Sequence, residues 1–210
     1  MKLGVMGGTF DPVHYGHLVV AEGVRYEYRL DKVIFVPAGR PPHKADRPIS
    51  GPEHRLTITA LAIASNPYFE VSDLEIKRPG LSYTYDTIRE LQSLYRPEVV
   101  YFITGADAVL ELLSWHRIRE LLAMCRFIAA TRPGYNLENL TVKLKLLPAS
   151  LVERIVPVEV PALAISSSDI RRRVSEGRPI KYLLPEGVEE YVLSTGLYRQ
   201  GLHQETSFCK

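Results

Sequence analysis

The chain has 210 residues, 46% of them apolar, which is enough for one ordinary core and short for a string of domains. Its formal net charge is +2, so no basic surplus points to nucleic acid, and no apolar run is long enough to cross a bilayer. Cys125 and Cys209 are too few and too far apart for a disulfide framework or a zinc knuckle, and no signal-peptide layout precedes the first strand pattern, so the expected setting is reducing and cytoplasmic.

Residues 2–6 form an apolar run that reads as a buried strand. It leads into Gly7-Gly8-Thr9-Phe10-Asp11-Pro12-Val13-His14-Tyr15-Gly16-His17-Leu18, after which Leu18, Ala21, Val24 and Tyr28 recur at helical spacing. Residues 32–36 are a second strand pattern, and the proline-rich residues 38–51 read as a loop. Pro52 suits the first position of a helix whose expected face is Leu56, Ala60, Ile63 and Ala64. Residues 69–72 look like a strand and 73–81 like irregular chain. Ser82-Tyr83-Thr84 precedes a helix with the stripe Ile88, Leu91, Tyr95. Residues 99–104 are the cleanest buried strand, followed by a helical region to about 123 that breaks near Ser114-Trp115. Residues 126–131 are a further strand, 137–147 are weakly helical, and 155–160 are a strand that Pro157 moves toward a sheet edge. Residues 166–176 and 186–195 read as closing helices, and 199–210 as a flexible polar tail.

Strand and helix alternate at short intervals, which predicts an α/β fold: a mainly parallel sheet with helices on both faces. Residues 1–198 form the expected domain, with a small C-terminal helical part over about 166–198. Ligands of such sheets bind beyond the carboxyl ends of the strands. Four strand ends carry loop chemistry, at Gly7-Gly8, Pro37-Ala38-Gly39, Gly105-Ala106-Asp107 and Arg132-Pro133-Gly134, and these loops are expected to converge on one cleft.

Three chemistries compete for the N-terminal loop. A dinucleotide fingerprint is absent, because the glycines are Gly4, Gly7 and Gly8, and no Gly-Lys-Ser/Thr of a P-loop follows. A metal site through His14 and His17 needs a third ligand, and His43, His54 and His116 lie in unrelated segments. Phosphate binding fits best: Gly16 lets backbone approach closely, the helix start offers partial positive charge, and imidazoles donate to phosphate oxygens. Near the other end, Ile165-Ser166-Ser167-Ser168-Asp169-Ile170-Arg171 places a serine cap and an arginine at the start of a helix, a second anion site.

The run Gly-Gly-Thr-Phe-Asp-Pro-x-His-x-Gly-His resembles the signature of the H-x-G-H nucleotidyltransferase superfamily, whose fold is Rossmann-like. More narrowly, it resembles the bacterial nicotinate-nucleotide adenylyltransferases, which make deamido-NAD from nicotinate mononucleotide and ATP. The residue 165–171 run resembles that family's second hallmark, with Ser168 where threonine is usual. The resemblance spans residues 3 to about 198 and also touches Leu183-Leu184-Pro185 and Gly196-Leu197-Tyr198. It implies catalytic roles for His14, His17 and Arg171. It implies ATP contacts at Gly7, Gly8, Thr9, Phe10, Gly16, Gly105, Asp107, Ser166 and Ser167. It implies mononucleotide contacts at Lys44 in Pro41-Pro42-His43-Lys44, at Ser82, Tyr83 and Thr84, at Trp115 as a stacking platform, and at Arg132.

A nucleotide phosphate is already mostly dianionic at neutral pH, so it needs little activation, and no covalent nucleophile stands out because Cys125 lies in an apolar stretch. The expected chemistry is direct in-line attack on the α-phosphate of ATP with release of pyrophosphate, carried by positioning and electrostatics. Mg²⁺ is expected on the ATP phosphates without a protein cage. The same chemistry on nicotinamide mononucleotide or phosphopantetheine remains open, as does a non-catalytic nucleotide-binding regulator. RNA charging would need an appendage for which neither length nor charge gives evidence. Expected partners are the two nucleotides, with no membrane and no nucleic acid; a homo-oligomer is compatible with the sequence.

Overall fold

The computed structural model describes residues 1–42, 49–109, 111–131, 144, 147–161 and 163–199. Among them, six strands form one sheet in which every neighbouring pair is parallel: β1 (Lys2–Gly8), β2 (Lys32–Pro37), β3 (Phe69–Val71), β4 (Val99–Gly105), β5 (Arg126–Thr131) and β6 (Ile155–Glu159). The spatial order β3-β2-β1-β4-β5-β6 reverses direction between β1 and β4. That reversal opens a crevice at the carboxyl ends of those two strands. β6 lies at the edge, where Pro157, opposite Ala129, lacks the N–H a central strand would need.

Period-two alternation sorts the strand residues onto two faces, each covered by its own helices. On one face Met6, Phe35, Ile103 and Ile128 pack with Ala21 and Val24 of α1 (Tyr15–Tyr28) and Ile58 and Ala62 of α2 (Pro52–Ile63). Leu3, Val5, Phe102 and Phe127 point the other way. They meet Leu74 of α3 (Leu74–Lys77), Ile88 and Leu91 of α4 (Thr84–Tyr95), Val109 of α5 (Ala106–Val109) and Leu121 and Leu122 of α6 (Ile118–Met124). A short 3₁₀ turn at Leu112–Ser114 and the helix α7 (Ala149–Val152) complete the connections. The closing helices α8 (Ser167–Ser175) and α9 (Glu186–Thr195) join the first face through Ile170, Val174, Val188 and Val192.

Two local expectations are corrected. Residues 73–81 are not wholly irregular, since α3 occupies part of them. The inward face of α2 is Arg55, Ile58, Thr59, Ala62 and Ile63; of the expected Leu56, Ala60, Ile63 and Ala64, Ile63 alone belongs to it. The true stripe was hidden because two of its five members are polar. The weakly helical segment expected at 137–147 lies almost wholly outside the described residues.

Arg55 explains that rotation. Its side chain is 0% exposed, yet every part of its fork is used. Nε donates to the Ser50 carbonyl at 2.9 Å, Nη1 to the carbonyls of Thr9 (3.0 Å) and Ala38, and Nη2 to that of Gly39 at 3.2 Å. One guanidinium therefore ties together the chain after β1, the chain after β2 and the start of α2. Burial lowers its proton affinity, but the Asp11 carboxylate opposes that shift, and a guanidinium remains charged at neutral pH. Replacing Arg55 by Met is expected to leave these carbonyls without donors and to lower the unfolding free energy by about 3–5 kcal/mol. A urea titration followed by circular dichroism measures the loss.

Candidate active site

At the switch point lies a cleft of about 550 Å³. Its floor is the end of β1 (Met6, Gly7) and of β4 (Ile103, Thr104, Gly105), one wall is the start of α1 (His14, Gly16, His17), and another is Thr131 with Val160, Pro161, Leu163, Ile165, Ser166 and Ser167. The loop expected to follow β5, Arg132-Pro133-Gly134, lies outside the described residues, but the ends of β1, β4 and β5 converge on this cleft. The loop after β2 does not: Gly39 lines a separate cavity of about 460 Å³ with Arg55 and Glu75.

His14 caps α1 in extended conformation and is only 6% exposed. Its backbone N–H donates to Nδ1 of His17 at 3.2 Å, and the two rings stack with centroids 3.8 Å apart. A ring that accepts at Nδ1 carries its proton on Nε2, so neutral His17 is held as the Nε2–H tautomer. Phe10 closes the back of that ring, edge-on at 5.2 Å. Phe10 is itself buried, and its φ of 50° is uncommon for an aromatic residue. Gly16 has a physical cause as well: a Cβ there would lie 2.9 Å from Nδ1 of His14. Only glycine leaves room for the stacked pair at the open first turn.

Ser166 and Ser167 face the histidines across the cleft. Ser166 caps α8, its hydroxyl accepting the Asp169 N–H at 3.2 Å. The Ser167 hydroxyl donates to the Pro12 carbonyl at 2.8 Å. Arg171 donates through Nη1 to the Asp11 carbonyl at 2.6 Å and through Nη2 to the Ser168 hydroxyl at 3.3 Å. It lines a neighbouring cavity of about 340 Å³, not the histidine cleft itself.

Several expected contacts are placed elsewhere. Gly8, Thr9 and Phe10 lie beside the cleft without lining it, Thr9 giving its carbonyl to Arg55 and Phe10 its ring to His17. Of Asp107 only the backbone, in α5, is described. Lys44 and Arg132 lie outside the described residues. Ser82, Tyr83 and Thr84 precede and begin α4, and Trp115 packs on the face of the sheet that α4 covers. Tyr83 stacks on His116 at 4.4 Å, and Trp115 meets Phe102 and Phe127 edge-on, each at 5.9 Å. The Arg117 guanidinium sits 4.1 Å over the ring of Tyr85, adding positive charge. The Ser82 hydroxyl accepts the amides of Gly39 (3.0 Å) and Arg40 (3.1 Å), so it shapes the loop after β2.

Sequence reasoning missed Asp11, Arg55, Glu75 and Tyr198. Asp11 stood inside the motif, but an acid there gives no sign that it will be buried. Among the described residues, no group of three or more His, Cys, Asp or Glu side chains could hold a metal ion. No helix there is long and apolar enough to cross a membrane. Cys125 is buried, and burial pushes its thiol up to about 12, so it is no nucleophile.

The comparisons agree with one another. A family model described as cytidylyltransferase-like matches residues 5–173. A probable nicotinate-nucleotide adenylyltransferase of Moorella thermoacetica is 60% identical over 202 residues, covering 96% of this chain and 93% of the relative. Another of that description from Thermoanaerobacter sp. is 56% identical, covering 95% of each chain. Among solved structures, the Plasmodium falciparum nicotinic acid mononucleotide adenylyltransferase complexed with NaAD is similar in fold, with a TM-score of 0.73 at 20% identity over 94% of this chain and 97% of that one.

Glu75 supplies a pH test of the second cavity. Burial raises its carboxyl above the usual carboxylate range, against the Thr87 and Ser82 hydroxyls and the charges of Arg78 and Arg55. The folded state then holds a proton that the unfolded chain has released, so stability falls as pH rises from 4.5 through the raised value. Glu75→Gln removes this titration. Its melting temperature is expected to decline less than that of the wild type between about pH 5 and about pH 7.5 in calorimetric scans.

Proposed function

The chain belongs to the cytidylyltransferase-like family, among the nicotinate-nucleotide adenylyltransferases, and from that premise we propose that it transfers the adenylyl group of ATP to nicotinate mononucleotide. The products are deamido-NAD and pyrophosphate, and the reaction is a step of NAD biosynthesis. The observation that carries the reading is the stacked His14–His17 pair at the open start of α1, facing Ser166 and Ser167 across the switch-point cleft.

The chemical task is to bring two anions together and to steady charge on the α-phosphate. In this reading the triphosphate lies along the start of α1, whose amides and partial positive charge favour an anion. His17 directs an Nε2–H donor at a phosphate oxygen, and His14, stacked on it, shares the load. Ser166, Ser167 and Arg171 hold the leaving pyrophosphate, with Arg171 releasing the Asp11 carbonyl to do so. Gly7, Gly105 and Asp107 border the nucleoside. Bound to the ATP phosphates, magnesium would supply Lewis-acid polarisation there.

The acceptor approaches from the Ser82–Thr84 and Trp115 side, with Lys44 assigned to its phosphate and Arg132 as a further contact. The acid is favoured over the amide by the fixed positive charge of Arg117, whose guanidinium lies over the ring of Tyr85 beside the Tyr83–His116 pair. Residues 1–198 act as one nucleotidyltransferase domain, working on these metabolites in the cytoplasm.

Pyrophosphate release measured with ATP plus each pyridine mononucleotide tests the assignment. Release with the acid in clear excess over the amide is expected; equal rates, or none with the acid, overturn the substrate. His17→Ala is expected to lose about 10²–10³ in kcat at saturating ATP. Gly16→Ala, which drives a methyl into the His14 ring, is expected to lose about 10² in kcat while melting near the wild-type temperature.

A further inference from the structure

The turn that carries the two histidines is fastened largely from outside its own strand and helix. Asp11 is 3% exposed, and its carboxylate is shared between partners. Oδ1 accepts the hydroxyl of Tyr198 at 2.8 Å, and Oδ2 accepts the amide of Ser50 at 3.3 Å. The Arg171 guanidinium stands 4.0 Å from that carboxylate, and Arg55 adds a second positive charge from the α2 side. The Asp11 and Pro12 carbonyls take the donors of Arg171 and Ser167 already described. One residue past His14, the Tyr15 N–H donates to the Leu183 carbonyl at 3.1 Å. The C-terminal segment therefore sets where His14 begins.

These fasteners are not equivalent. Ser167 and Arg171 have a second claim on them, because in the reading above they grip the departing phosphates. When ATP is bound, their hold on the turn is in competition with substrate. Tyr198 has no such claim. It lies outside the histidine cleft, in the neighbouring cavity with Asp11, Ser50 and Ser168. Burial, reinforced by the Asp11 charge, raises its hydroxyl far above the usual tyrosine range, so it remains a donor throughout the working pH range.

We propose that Tyr198 is a positioning residue for adenylyl transfer: its hydroxyl, acting through the Asp11 carboxylate, holds the turn that aims His14 and His17 while substrate occupies Ser167 and Arg171. The proposal rests on the functional reading of the preceding section. It concerns the transition state more than ground-state binding, because misaimed donors weaken charge stabilisation without removing the surfaces that bind the nucleotides.

Tyr198→Phe keeps the ring and removes only the hydroxyl. It is expected to lower kcat between about tenfold and about a hundredfold, with KM for either nucleotide changed by less than about twofold, at a temperature where the variant is fully folded. Tyr191→Phe is the control: it removes the 2.9 Å bond to His54 between α2 and α9, which does not touch the turn, and should leave kcat unchanged. Combined with Asp11→Asn, the Tyr198→Phe effect should be less than multiplicative, since both act through one bond. In histidine ¹⁵N spectra the His14 and His17 signals should move in Tyr198→Phe and stay in Tyr191→Phe. Wild-type turnover by Tyr198→Phe, an equal loss in Tyr191→Phe, or fully multiplicative effects with Asp11→Asn would each overturn the proposal. A wild-type chain that releases no pyrophosphate overturns the functional reading instead, so the two failures are separable.

Discussion

The buried guanidinium of Arg55 is the constraint on which the active end of the sheet depends. A parallel sheet fixes its strands by ladder hydrogen bonds but leaves the loops at their carboxyl ends unpaired. Here the loops after β1 and β2 point carbonyls at one cation, which answers them together. A neutral donor set of that size would need several side chains and the entropy of ordering each. The planar fork of arginine does it with one, already held straight by α2. The desolvation cost of the charge is offset by those carbonyls and by the nearby Asp11 carboxylate.

From that clamp outward, the site is built mostly by backbone acceptors and side-chain donors. The turn from Thr9 to Val13 gives carbonyls to Arg55, Arg171 and Ser167 and takes none of its rigidity from regular structure. Its two ends are nonetheless firm, because Phe10 and Val13 are buried on one core face. Packing fixes where the turn sits, and the hydrogen bonds fix which way it faces. His17 is the clearest case: Phe10 sets the ring's place, while the His14 amide sets its tautomer. Gly16 is the counterpart in volume, a missing methyl that admits the neighbouring imidazole.

The two faces of the sheet divide the chemistry. The face covered by α1, α2, α8 and α9 borders the histidine cleft, and the face covered by α3 to α6 carries the aromatic group of Tyr83, Trp115 and His116. In the proposed reading the phosphates lie on the histidine side and the pyridine ring on the aromatic side, which suits joining two nucleotides through their phosphates. Gly39 shows how closely the second side is packed, since a Cβ there would fall 2.1 Å from the Glu75 carbonyl.

Local sequence determined a good deal by itself. Apolar runs of four or five residues set β1, β2, β4 and β5, because burial on both faces leaves little choice of residue. Pro157 marked its strand as an edge, through a missing N–H. The helix start at the histidine motif and the serine-capped helix were legible because both depend on spacing within one segment. Other features were decided only by the tertiary structure. That Arg55 points inward, that Asp11 is buried, that Tyr198 reaches across 187 positions to it, and that the loop after β2 leaves the cleft are all long-range facts. A polar side chain reads as solvated until its partners are known. Those partners are backbone carbonyls, which every sequence has everywhere, so only the fold can say which of them meet.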